Sequence, residues 1–172
     1  MPVLFLTGGP GTGKTTVASV LHGRRGWPWF EFGWIPEFRR LNPHTEISYE
    51  EEELISLENL TFAAKNYLRH GFECVILTDI RERFTDRILE DFADVGVTAV
   101  ILAAASDGTV RERVLGRDNG NGYRDADEAV RINREFLARP EREGVKRILT
   151  DDASPEEIAD RIEAILGAAE KL

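Results

Sequence analysis

Short apolar runs alternating with longer amphipathic segments predict an α/β fold in three layers, a five-stranded parallel sheet with helices on both faces. Three observations carry that expectation. The chain opens with a strand, a glycine-rich loop and a helix in immediate succession. The run from Thr98 to Ala103 is almost continuously apolar, the pattern of a strand buried on both faces and therefore interior and parallel. Ser-x-x-Glu boxes, the signature of a helix start, recur at Ser48-Tyr49-Glu50-Glu51 and at Ser154-Pro155-Glu156-Glu157.

The elements follow in order. Val3-Leu4-Phe5-Leu6 reads as the first strand and Thr16-Val17-Ala18-Ser19-Val20-Leu21 as the helix after the glycine loop. Trp29-Phe30-Glu31-Phe32 is a short second strand ending at Gly33. The Ser48 box opens a long helix to about Arg69, stopped by His70-Gly71. Glu73 to Thr78 is the third strand, and Phe84 to Val95 a helix. After the fourth strand at Thr98 to Ala103, Ser106 starts a helix that runs into the polar loop Gly116 to Gly122. Asp125-Ala126-Asp127-Glu128 opens another, Val145 to Leu149 is the fifth strand, and Pro155 sits at the first position of the last helix. Ligands of such sheets bind beyond the carboxyl ends of the strands. Residues 1–172 are expected to form one domain, with substrate-side helices at about 34–70 and a lid at about 116–125.

The glycine loop carries the chemistry. Gly8-Gly9-Pro10-Gly11-Thr12-Gly13-Lys14-Thr15 fits G-x-x-x-x-G-K-[ST], a loop that wraps the phosphates of a nucleoside triphosphate, and Thr16 continues it into the helix. Backbone N–H groups turn inward around the anion, Lys14 reaches the β/γ-phosphates, and the Thr15 hydroxyl ligates Mg²⁺. Asp79, just past an apolar strand, is placed to hold Mg²⁺ through water or to accept a proton from an attacking hydroxyl. Arg81 and Arg83 follow it, within reach of a substrate phosphate or as solvated helix-start charges. Arg111, Arg113, Arg117 and Arg124 surround the polar loop, where guanidinium groups would stabilise a migrating phosphoryl group. A charged surface helix is the alternative for them. Arg131 and Arg134 either complete the site or pair with Asp127 and Glu128.

The residual composition narrows the class. Net charge is −9, which argues against a nucleic acid polymer as partner. The lone Cys74 lies in an apolar run and reads as a core thiol. The N-terminal apolar run is too short for a signal peptide or a membrane span, so a cytoplasmic protein without a membrane partner is expected. His22, His44 and His70 are scattered in no metal or triad pattern. Six of the 15 aromatic residues, Trp27, Trp29, Phe30, Phe32, Trp34 and Phe38, fall within twelve positions. They form either a stacking surface for a flat acceptor, with Trp34 or Phe38 in that role, or a hydrophobic wall.

The chain resembles the P-loop nucleoside and nucleotide kinases, of which adenylate kinases are the best known. The phosphate loop matches most specifically. Glu-Arg-Val-Leu-Gly-Arg at 112 to 117 looks like the lid entrance of adenylate kinases, and Tyr123 to Arg131 like the lid exit. Asp79 and Arg83 keep the family's Asp-x-x-x-Arg spacing, while Asp79-Ile80-Arg81 also suits a D-x-R version. The resemblance implies a three-layer P-loop fold with strand order 2-3-1-4-5 and a short arginine-rich lid. It implies that Arg113 stacks on adenine, that Arg117 and Arg124 serve the transferring phosphoryl, and that ATP and Mg²⁺ are bound.

On the acceptor side Gly33 and Arg39 roughly fit, but bulky aromatics replace the adenylate-kinase polar pair. Trp29 to Glu37 is similar to small-molecule kinases such as chloramphenicol phosphotransferase, yet Ile35 stands where those enzymes place their aspartate base. Glu31, Glu37 and Asp79 are the candidate bases. The expected function is transfer of the γ-phosphoryl of ATP–Mg to a small-molecule acceptor, first a nucleoside or nucleotide, with Gly33, Trp34, Arg39, Arg81 and Arg83 contacting it. An antibiotic or sugar is the alternative acceptor, and an NTP hydrolase or switch the alternative activity.

Overall fold

In the computed structural model, which describes residues 2–34, 47–116 and 123–169, the strands are β1 (Val3–Thr7), β2 (Trp29–Glu31), β3 (Val75–Thr78), β4 (Val97–Ala103) and β5 (Val145–Leu149). They form one parallel sheet in the order β2-β3-β1-β4-β5, as expected. Parallel strands need crossovers, and here these are the helices α1 (Lys14–Arg25), α2 (Tyr49–Arg69), α3 (Thr85–Asp91), α4 (Asp107–Leu115) and α5 (Ala126–Ala138), while α6 (Pro155–Ala169) follows the last strand.

The apolar runs of β1, β3 and β4 face helices on both sides, which is why they lack polar alternation. Leu4, Leu6, Ile76, Val100 and Leu102 meet Val17 and Leu21 of α1 and Ile158 and Ile162 of α6. Val3, Phe5, Leu77, Ala99 and Ile101 meet Leu57 and Leu60 of α2, Ile88 of α3 and Phe136 of α5. Each of these valine, leucine, isoleucine and phenylalanine side chains, removed from water, contributes about 1.5–3 kcal/mol. A smaller cluster of Val110, Val114, Ala129 and Val130 joins α4 to α5 beside Ala104.

Both capping boxes form. Glu51 N–H donates to Ser48 Oγ and Ser48 N–H to a Glu51 carboxylate oxygen, at 3.2 and 2.7 Å. Ser154 and Glu157 repeat this at 3.2 and 2.7 Å. Ser106 and Asp125 cap α4 and α5 through their side chains.

Several boundaries differ from expectation. β3 begins at Val75 instead of Glu73. β2 ends at Glu31 because Phe32 turns into a 3-10 segment, Phe32–Trp34, where its ring packs 6.4 Å from that of Phe84. The helix expected over Phe84 to Val95 is a 3-10 turn at Glu82–Phe84 followed by α3, which stops at Asp91. Phe92 is fully buried, and the chain then tightens through Val95 N–H to Phe92 O and Gly96 N–H to Phe92 O to re-enter the sheet at β4. Among the described residues, no helix is long and apolar enough to cross a membrane.

Candidate active site

All five strands point their carboxyl ends to one rim, so the segments after Thr7, Glu31, Thr78, Ala103 and Leu149 converge there. The loop after β1 wraps into the N-terminus of α1. Its shape depends on glycine. A Cβ at Gly8 (φ +143°) would lie 2.1 Å from the Leu102 carbonyl oxygen, and Gly13, the residue preceding α1, has φ +90°. Val110 and Val114 of α4 back the loop at Gly11, and Asn133 of α5 backs it at Gly9.

Helix α1 has no side-chain cap and no acidic residue in its first turn. Its leading N–H groups therefore remain available to an anion, where the helix dipole also favours negative charge. Lys14 Nζ donates to the carbonyl oxygens of Gly8 and Gly9, at 2.9 and 3.0 Å, holding its ammonium over the loop. Thr12 Oγ1 donates to Gly9 O at 2.8 Å and rigidifies the loop from inside.

From this loop a cleft of about 680 Å³ extends over Thr15, Thr16 and Val20 to Arg113, Thr150 and Pro155. Arg113 is fixed there, donating to Thr150 Oγ1 at 2.9 Å and to the Thr150 carbonyl at 2.6 Å. The segment after β5 is tied to the segment after β4 by Asp151, which accepts from Ala105 N–H at 2.6 Å and Ser106 N–H at 2.9 Å. Burial works against ionisation of Asp151, but these donations outweigh it and hold the carboxyl below its ordinary value.

The other side of the loop carries carboxylates. The Thr15 hydroxyl donates to Glu31 at 3.2 Å. Burial pushes the Glu31 carboxyl above its ordinary value and the charge of Asp79 adds to this, while the Thr15 hydrogen bond and Lys14 oppose it. Asp79 is exposed and has φ +59°, the one positive φ of a non-glycine residue among those described. Aspartate tolerates that conformation better than most residues, and such outliers concentrate at functional sites. Thr15, Glu31 and Asp79 thus set hard oxygen donors beside Lys14, a set that suits Mg²⁺. Among the described residues no group of three or more acidic, His or Cys side chains could hold a metal by itself.

Beside Asp79, which lines it, lies a small cavity of about 80 Å³, bounded by Tyr49, Glu52, Glu53, Ser56 and Arg81, with Phe32 and Gly33 alongside. Arg81 Nε donates to Glu53 at 3.0 Å and its Nη2 to the Tyr49 hydroxyl at 3.3 Å. Arg83 pairs with the same carboxylate and lies 5.0 Å over the Phe84 ring. It lines a separate cleft with Arg139 and Arg142.

The structure brings Gly8 to Thr16, Arg113, Glu31 and Asp79 together on the rim, with Gly33 and Arg81 at the adjoining cavity. Arg124 precedes α5, donating to the Tyr123 carbonyl at 3.2 Å. Arg111 pairs with Asp127, Arg131 with Glu128 and Glu135, and Arg134 with Asp107, all on an exposed face of α4 and α5. Arg39, Glu37, Phe38 and Arg117 lie outside the described residues, as does the Trp34 side chain. Most of the described aromatics of the cluster build walls: Phe30 packs edge-on against Tyr67, Phe32 against Phe84, and the Trp29 indole donates to Thr78 at 2.8 Å.

Sequence reasoning missed Glu53 and Asn133. Asn133 is fully buried, and its amide both accepts from Ala104 N–H at 3.0 Å and donates to Ala104 O at 2.7 Å, fastening β4 to the helix behind Gly9. Its signal was an asparagine on the apolar stripe of Ala126, Ala129, Val130 and Phe136.

No family model matches this chain, and the comparison with curated proteins gives no match. Solved structures match along almost its whole length. A gluconokinase from Sinorhizobium meliloti 1021 superimposes with a TM-score of 0.65 at 19% identity, over 98% of this chain and 92% of that one. The chain shares the fold of that structure. A shikimate kinase from Acinetobacter baumannii, solved in complex with shikimate, gives a TM-score of 0.59 at 20% identity over 98% and 94% of the two chains. The tunicamycin resistance protein of Deinococcus radiodurans gives 0.62 at 22% identity over 96% and 95%. At these identities the likeness fixes the architecture, and the chemistry has to be argued from the P-loop residues of this chain.

Proposed function

We propose that this protein is an ATP-dependent phosphotransferase moving the γ-phosphoryl of ATP–Mg to a hydroxyl group of a small molecule. One observation carries the reading: an anion-receptive loop with Lys14 and Thr15 stands between a long cleft and a short carboxylate-lined cavity on one sheet rim. A hydrolase needs only the first of these. A nucleoside or nucleotide acceptor is what the adenylate-kinase resemblance supports; the gluconokinase and shikimate kinase neighbours support a hydroxyl-bearing metabolite instead.

In this mechanism the loop amides and Lys14 hold the triphosphate, and Arg113 closes the nucleotide cleft at Thr150. The chemistry supplied by Mg²⁺, when bound through Thr15 with Glu31 or Asp79 behind it, is neutralisation of charge on the phosphate oxygens. Asp79, between loop and cavity, takes the proton of the acceptor hydroxyl as its oxygen bonds to phosphorus and ADP leaves with the cleaved bridging oxygen. Glu31, committed to Thr15, belongs to the donor side. Arg117 and Arg124 border the lid and are assigned to the migrating phosphoryl.

Lys14→Ala tests the reading. It is expected to lower acceptor-dependent ADP formation by about 10²–10³-fold with an unchanged circular dichroism spectrum, since a positioned charge on the transition state is worth that much. Turnover at the wild-type rate would refute the assignment of this loop.

A further inference from the structure

Resting on the phosphotransferase reading of this site, we infer that Glu53 is a positioning residue. Through Arg81 and Arg83 it fixes the turn that leaves β3, and so holds the Asp79 carboxylate beside the phosphate loop. Asp79 needs such support. Its φ of +59° is costly for a residue with a Cβ, and such a conformation lasts only where the neighbours on both sides determine it. The preceding side is held by the sheet: Thr78 is fully buried, pairs in register with Leu6 of β1 and accepts from the Trp29 indole at 2.8 Å. The following side is held by Ile80, buried in the same core cluster as Leu57 and Leu60 of α2, and by the ion pairs of Arg81 and Arg83.

Those pairs meet at Glu53, in the second turn of α2, whose side chain is only 7% exposed. Arg81 Nε donates to one carboxylate oxygen at 3.0 Å, and Arg83 donates to the other. Arg81 also donates to the Tyr49 hydroxyl at 3.3 Å, in the first turn of the same helix. A buried carboxylate is costly unless hydrogen-bonded charge compensates it, so Glu53 and the two guanidinium groups hold one another. Between the two arginines the chain makes its 3-10 turn, closed by Phe84 N–H to Arg81 O at 2.9 Å. Residues 81–84 are thereby bound to α2 as one unit. Asp79 is separated from that unit by Ile80 alone, and it lines the cavity that Glu53 and Arg81 also line. Releasing the unit lets Asp79 relax to an ordinary φ, which swings its carboxylate away from the loop. Misplacing a reacting group by about 1 Å costs on the order of 100-fold in rate.

The test uses the full chain and ATP–Mg with water as the probe acceptor, followed by phosphate release. Glu53→Gln removes the charge that holds both arginines. It is expected to lower the kcat of this hydrolysis about 10–100-fold while the KM of ATP stays constant. Glu53→Asp keeps the charge but retracts it, and is expected to recover part of the loss. In an Asp79→Asn background, Glu53→Gln is expected to have no further effect, because a positioning residue acts only through the group it positions. A crystal structure of Glu53→Gln is expected to show Asp79 away from φ +59°. The inference is overturned, and the phosphotransferase reading left intact, by a kcat that falls by the same factor in the Asp79→Asn background. An unchanged kcat in Glu53→Gln or in Asp79→Asn, or an Asp79 that keeps its φ in folded Glu53→Gln, does the same. Wild-type protein that neither binds nor hydrolyses ATP–Mg overturns the phosphotransferase reading itself. Should Glu53→Gln fail to fold, Glu53→Asp takes its place in the kinetics, the double-mutant cycle and the crystal structure, with the same overturning results.

Discussion

Replacing Asn133 by alanine isolates one amide whose two hydrogen bonds join the sheet to the helix behind the phosphate loop. The side chain is fully buried, and both of its bonds go to Ala104, one to the N–H and one to the carbonyl. Asn133→Ala leaves two buried backbone groups without partners, at about 1–3 kcal/mol each. Alanine is the better helix former in the interior of α5, which returns roughly 0.5 kcal/mol. The net expectation is a loss of roughly 2–4 kcal/mol, near the middle of that sum because water entering the vacated space re-satisfies part of it. For a chain of this length each kcal/mol lowers Tm by about 2–4 °C, so a fall of roughly 5–15 °C is expected. Urea unfolding followed by circular dichroism measures it, with an unchanged m-value marking loss of stability alone. Asn133→Asp sharpens the test, because a carboxylate still accepts from Ala104 N–H but meets Ala104 O with no proton to give. It should cost at least as much as alanine. A change below about 0.5 kcal/mol in both variants, the range of an ordinary surface substitution, would refute the reasoning.

Other substitutions separate contributions within the same rim. Gly8→Ala puts a methyl 2.1 Å from the Leu102 carbonyl oxygen, whereas Gly13→Ala meets no heavy atom within 4 Å and suffers only from its φ of +90°. Thermal melts should show the first to be destabilised by roughly 3 kcal/mol or more and the second by about 1–2 kcal/mol; equal losses would mean that backbone preference alone shapes the loop. Asp151 has a folded-state carboxyl held below its ordinary value of 3.8, so its contribution is present at neutral pH and is lost as pH falls through the folded value. Asp151→Asn should therefore melt below wild type at pH 7, with the gap closing as pH drops below that ordinary value. A gap that stays constant down to pH 3 would remove the charge from the explanation.

Most of the fold was legible because its signals are local. The runs Val3 to Leu6 and Thr98 to Ala103 announce buried parallel strands, and the Ser48 and Ser154 boxes announce helices in the positions where they occur. The glycine loop between β1 and α1 was legible for the same reason, since its shape depends on consecutive residues. Helix α3 was overestimated because propensity favoured extension, while burial of Phe92 and the turn at Gly96 stopped it. The partners of Arg81 and Arg83 were not legible. Glu53 is the last of four successive glutamates at the start of α2 and reads as a solvated helix-start charge. Only the pairing of β2 with β3 carries that turn to the segment after Thr78 and buries the carboxylate between two guanidinium groups.

On the proposed reading, the placement of charge on the rim would let an acidic chain hold a triphosphate. Favourable interaction with phosphate depends on local donors, and the donor side gathers Lys14, Arg113 and the uncapped N-terminus of α1. Glu31 stands on the donor side at Thr15, and the carboxylates beyond it, Asp79 and the Glu53 group, lie where, on that reading, an alcohol would be oriented and relieved of its proton. In that arrangement the polyanion would lie on the glycine side and the hydroxyl donor on the carboxylate side. Reversing the charge at Asp79 or Glu31 would therefore disturb acceptor placement and phosphate placement unequally, Asp79 the first and Glu31 the second, because only Glu31 is bonded to the loop threonine.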